Sequence, residues 1–128
     1  MFRLSQKADY GLILLSNISK SKKPLSVSVV AKNNQISARF LSQIAGDLKK
    51  AGILTAKEGV TGGYVLAKKP EQIRILDVLK TLDGELVVGE CFDEDHECHC
   101  GGKDMWREMK KQMEESIGRK TVADLVGQ

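Results

Sequence analysis

The chain has 128 residues, 41% hydrophobic and 5% aromatic, with a formal net charge of +3. That suffices to bury one core with an appended helix and is too little for two full domains. No apolar run approaches the roughly 20 residues that cross a bilayer, and the start, Met1 to Lys7, does not resemble a signal peptide, so a soluble cytoplasmic protein with no membrane partner is expected.

The charge is divided unevenly. Residues 1–70 hold 12 Lys+Arg against three acids (Asp9, Asp47, Glu58), a net of +9, whereas residues 71–128 hold 8 against 14, a net of −6. A basic head is the footprint of a polyanion partner, nucleic acid above all, although a solvated basic face would produce the same numbers.

In chain order, Ser5 can cap a helix over residues 5–19, with Tyr10, Ile13, Leu14 and Ile18 near one stripe, and Pro24 prevents its continuation. Ser26 or Ser28 caps a short second helix through Val29, Val30 and Ala31, which stops at Asn33-Asn34. Ser37 caps a longer third helix whose apolar side is Phe40, Leu41, Ile44, Leu48 and Ala51, with Gly52 placed for a left-handed C-terminal cap. A short helix, a tight turn and a Ser-capped helix form the helix-turn-helix pattern, whose second helix enters the DNA major groove. Residues 53–57 and 64–67 read as strands joined through the glycines of Glu58–Gly63, a hairpin that would form a wing. A plain structural hairpin is the competing reading. Residues 75–82 form a short helix ending near Gly84.

All three cysteines and both histidines then fall within ten residues: Cys91, His96, Cys98, His99 and Cys100. Three thiols cannot all pair within one chain, and in a cytosolic protein such a cluster marks a metal or redox site more often than a disulfide framework. From about Asp104 to Ile117 a last long helix carries Trp106, Met109, Met113 and Ile117 at steps of three, four and four. That narrow seam suits two-helix packing against a second copy by two-fold symmetry, or packing on its own head. Residues 121–125 close the chain in a turn. The expected fold is mainly α with a small β-hairpin wing: a winged helix-turn-helix head over 1–83, a cysteine-rich loop over 84–102, and a dimerisation helix with a C-terminal turn over 103–128.

Arg3-Leu4-Ser5, Asp9-Tyr10-Gly11, the helix-turn-helix, Gly62-Gly63-Tyr64-x-Leu66 and a cysteine loop before a Trp-bearing helix together resemble the Rrf2 family of bacterial winged-helix transcription regulators. The resemblance spans almost the whole chain. It implies a homodimer on a palindromic double-stranded DNA operator, probing iron–sulfur, redox or nitric oxide status, and acting as a repressor. Cluster-binding members carry three cysteines after the wing, matched here by Cys91, Cys98 and Cys100, and hold a two-iron (2Fe–2S) or four-iron (4Fe–4S) cluster, of which the two-iron form is favoured. Two departures stand out. The gaps between cysteines are six residues and one, and Lys103 stands where some members carry a histidine ligand three residues before the tryptophan. The fourth ligand is therefore sought among His96, His99 and Asp9, the last matching the family's N-terminal acidic position. Were Asp9 supplied by the second subunit, the cluster would tie sensor and DNA head together across the dimer.

Thiolates suit iron–sulfur clusters and zinc alike, and with three of them one iron is left with a harder ligand and is more open to attack, which serves a sensor. Zinc and a thiol switch remain alternatives on the same fold. A further alternative is a small iron–sulfur redox or cluster-handling protein that never binds DNA. No phosphate-cradling glycine motif or second acid–base group accompanies the histidines, so no enzyme is expected. With Phe40, Leu41 and Ile44 turned inward, the third helix would present Ser37, Arg39, Ser42 and Gln43 to base edges, Arg suiting guanine and Gln adenine. The wing would add Lys57, Gly62 and Gly63, with Glu58 opposing phosphate. Lys32, Lys49 and Lys50 suit either phosphate contacts or plain solvation.

Overall fold

The computed structural model describes residues 5–84 and 102–126. Among these the elements run α1 (Gln6–Lys20), α2 (Val27–Asn34), α3 (Ala38–Lys50), β1 (Leu54–Lys57), β2 (Gly63–Leu66), a 3-10 turn (Pro70–Gln72), α4 (Ile75–Asp83), α5 (Gly102–Gly118) and α6 (Val122–Val126). The mainly helical chain with one antiparallel hairpin is the architecture that the sequence predicts.

Local chemistry explains the helix starts. The Ser5 hydroxyl accepts the Ala8 N–H at 3.0 Å, Ser26 accepts the Ser28 N–H at 3.3 Å, and Ser37 accepts the Phe40 N–H at 3.3 Å. Each satisfies an amide that the first helical turn leaves without a partner, worth about 1 kcal/mol. At the end of α3, Gly52 is left-handed (φ 79°), its N–H bonds to the Lys49 carbonyl, and the Ile53 N–H bonds to the Leu48 carbonyl. This Schellman closure brings buried Ile53 back over buried Leu48 and aims the chain into β1. In the turn between α2 and α3 the left-handed position falls on Gln35 (φ 55°), one residue beyond the Asn33-Asn34 pair where the sequence suggests the helix stops. The Ile36 N–H closes that turn on the Ala31 carbonyl at 2.9 Å.

Among the described residues the core is one apolar cluster. Leu14, Leu15, Leu41, Ile44, Leu48, Val78 and Val122 are fully buried within it, and truncating one of its leucines to alanine should cost about 2–5 kcal/mol. α1 is the central helix, packed against α3, α4, α6 and β2. Its buried face is Ala8, Gly11, Leu14, Leu15 and Ile18, so the stripe is rotated from the one expected, and Tyr10 and Ile13 are half-buried at its margin. The rotation follows from close packing at Gly11, where an added β-carbon would run into Leu82 of α4 and sit near Ile44 of α3.

The hairpin register is Leu54↔Leu66, Thr55↔Val65, Ala56↔Tyr64 and Lys57↔Gly63. β2 also bridges Leu25, through Leu25 N–H to Tyr64 carbonyl at 3.1 Å and Tyr64 N–H to Leu25 carbonyl at 2.9 Å. The wing is thus fastened to the chain that precedes α2. After α5 the chain returns to the head. The Thr121 N–H is capped by Asp124, the Val122 N–H bonds to the Ile73 carbonyl at 2.9 Å, and Val122 enters the core.

Candidate nucleic-acid interface

α3 is clamped from behind and open in front. Leu41, Ile44, Ala45 and Leu48 are buried on one side. Phe40 meets Tyr10 edge-on with ring centroids 5.7 Å apart, and the Tyr10 hydroxyl accepts a 2.8 Å hydrogen bond from Gln6. Lys7 pairs with Asp47 at 3.0 Å, which ties α1 to α3 and offsets the carboxylate on α3. The opposite side presents Ala38, Arg39, Ser42 and Gln43, all exposed. Arg39 has no side-chain partner among the described residues, so its guanidinium is available to a ligand. Elsewhere on the head Arg74 is committed to Asp77 through two 3.0 Å hydrogen bonds, which hold the Asp77 carboxyl below the usual carboxylate range.

The wing stands beside this face. An open groove of about 550 Å³ lies between the starts of α2 and α3 and the hairpin, lined among others by Ser26, Ser28, Ala38, Ser42 and Lys57. Helix starts and serine hydroxyls offer donors to phosphate oxygens, and an ammonium adds charge attraction. Lys57 and Glu58 are both exposed, so the wing's charges oppose one another. Val60 at its tip is fully exposed.

Of the residues the sequence nominates, the structure gathers Ser42, Lys57, Gly62 and Gly63 around this groove, while Arg39 and Gln43 are exposed on α3 outside its lining. Ser37 lies at the start of the same helix, where its oxygen serves as the cap. Gly62 and Gly63 have a backbone reason to be glycine: a β-carbon at Gly62 would collide with the Lys57 carbonyl, and one at Gly63 would come within 2.5 Å of Leu25. Ala38, Ser26 and Ser28 were not singled out by the sequence as interface residues. Their signal is positional, because Ala38 opens α3 and the two serines open α2.

Cys91, His96, Cys98, His99 and Cys100 lie outside the described residues. Asp9 is exposed in the first turn of α1, and among the described residues no three His, Cys, Asp or Glu side chains gather as a metal site. Of the expected dimer stripe, Trp106, Met109 and Met113 are half-buried within the single chain, and Ile117 packs on the head's own core. No helix among the described residues is long and apolar enough to cross a membrane.

A helix-turn-helix with an exposed Arg- and Gln-bearing second helix and a wing fastened alongside defines a DNA-binding winged-helix protein. Residues 4–128 match the family model Rrf2, described as an iron-dependent transcriptional regulator, and the chain belongs to that family. It is a transcription regulator and not an enzyme. It is 33% identical to the HTH-type transcriptional regulator NsrR of Shouchella clausii over 97% of this chain and 88% of that one. Among solved structures it superposes on CymR, the global cysteine regulator of B. subtilis, with a TM-score of 0.85 at 29% identity, covering 98% of this chain and 97% of that one. IscR of T. potens gives a TM-score of 0.81 at 28% identity, covering 98% and 86%.

Proposed function

We propose that this protein is a cytoplasmic homodimeric repressor that binds a palindromic operator and adjusts its grip to an iron–sulfur cluster held by Cys91, Cys98 and Cys100. The observation that carries the proposal is the concentration of three thiols and two imidazoles within ten residues, on a chain whose head exposes Arg39 on α3 and carries a wing. The donor set fits the group, since thiolates are the ordinary ligands of iron–sulfur clusters. A two-iron (2Fe–2S) cluster is favoured over a four-iron one. Asp9, His96 or His99 completes the set. The exposed position of Asp9 on α1 leaves its carboxylate open to a ligand brought by a second subunit. Trp106, Met109 and Met113 form the stripe on which that second copy packs.

A second reading is favoured by the likeness to the cysteine regulator CymR and by the uneven cysteine gaps of six residues and one. On that reading the same fold responds through thiol oxidation or zinc. Purification without oxygen, followed by a visible spectrum, iron, sulfide and zinc analysis, and light scattering, separates the two. Stoichiometric iron and sulfide in a coloured dimer support the cluster, and Cys98→Ser should then bleach it. A colourless protein with zinc, or with none of the three, moves the sensor to the second reading. A monomer overturns the dimer.

A further inference from the structure

The first two turns of α3 expose four side chains, Ala38, Arg39, Ser42 and Gln43. Three of them carry groups that can hydrogen-bond to base edges. Ala38 cannot, and it does not serve the fold either: the core alanines Ala8, Ala31 and Ala45 are at most 2% exposed, whereas Ala38 stands in the open at the lip of the groove shared with Ser42 and Lys57. It occupies the first residue of the helix, and the N-terminal residues of a recognition helix are the ones that meet base edges.

The major groove offers an apolar side chain one distinctive partner, the C5-methyl of thymine, and alanine is small enough to meet it without blocking its neighbours. We infer that Ala38 reads a thymine methyl, and that this thymine adjoins the purines addressed by Arg39 and Gln43. The spacing is consistent with this arrangement. Arg39 and Gln43 are four residues apart, about 6 Å along the helix, against a base-pair rise of about 3.4 Å. The two long side chains therefore reach base pairs about two steps apart. Ala38 precedes Arg39 by one residue, which puts its methyl within a base pair or two of the guanine. The inference rests on the base-reading role of α3 and is independent of what the cysteines bind.

The test starts with the full-length protein and a random-sequence DNA pool, from which bound sequences are enriched to give the preferred site. Each thymine of that site is then replaced in turn by deoxyuridine, which removes the methyl and leaves every hydrogen-bonding group. We expect one thymine per half-site at which replacement weakens binding about fourfold, the worth of one buried methyl. Ala38→Gly should bind the unmodified site with a similar loss and be indifferent to the methyl at that position. Ala38→Ser, which keeps a side chain at the helix start, should also lose the methyl preference while melting like the parent. An enriched site with no methyl-sensitive thymine overturns the inference, as does methyl sensitivity that survives unchanged in both variants. A pool that yields no enriched sequence removes the base-reading role of α3 itself, and this inference with it.

Discussion

Substituting Gly63 by alanine should unfasten the wing. Gly63 opens β2, and a β-carbon there would lie 2.5, 2.6 and 2.8 Å from the C, O and N atoms of Leu25. All three are backbone atoms, so no side chain can swing aside, and relief requires β2 to move off the Leu25 segment. That movement breaks the two hydrogen bonds between Leu25 and Tyr64, 3.1 and 2.9 Å long. Two backbone bonds at about 1 kcal/mol each, with some residual strain, give a loss of roughly 2–3 kcal/mol. For a domain of this size the melting midpoint should fall by about 10 °C. Thermal unfolding followed by circular dichroism measures the shift, and DNA affinity should fall with it because Lys57 and the groove lose their place beside α3. A midpoint within about 2 °C of the parent would refute the reasoning, since it would show that the wing does not depend on close approach to Leu25.

Gly46→Ala should have the opposite sign. Gly46 lies inside α3 and an added β-carbon meets nothing within 4 Å, so helix propensity alone predicts a gain of about 0.5–1 kcal/mol and a midpoint about 3 °C higher. Arg39→Ala should weaken binding to the selected site and flatten the preference at the guanine, measured as the ratio of affinities for selected and random DNA. Lys57→Ala should lower both affinities alike and reduce their salt dependence. For Asp77 the carboxyl is held low by Arg74, so its contribution is present above the ordinary carboxylate range and is lost as pH falls through the lowered value. Asp77→Asn should therefore cost a little stability at neutral pH and make the midpoint less sensitive to acid below about pH 4. Parallel acid limbs for parent and variant would contradict the assignment.

What the sequence by itself determined was local. Ser5, Ser37 and the pair Ser26 and Ser28 mark helix starts because a hydroxyl satisfies a free amide within three residues, and the structure settled the second start on Ser26. Gly52 marks the end of α3 because few other residues adopt its left-handed conformation without strain, and the glycines of residues 59–63 mark the hairpin. The uneven charge and the clustered thiols were equally plain, since composition along a chain needs no fold to be read. The tertiary structure decided what depends on distant neighbours. It chose which face of α1 is buried, because Gly11 must admit Leu82 from α4, and this set Tyr10 aside to brace Phe40. It paired Leu25 with the wing, a single bridge with no periodic signal. It returned α6 to the core through Val122, which in sequence belongs to a short closing turn. It also set Ala38 at the edge of a groove shared with Lys57, a neighbour nineteen residues away in the chain that no local pattern pairs with it. These are packing choices among elements far apart in the chain, settled by shape and by which amides still need a partner, and local patterns carry no record of either.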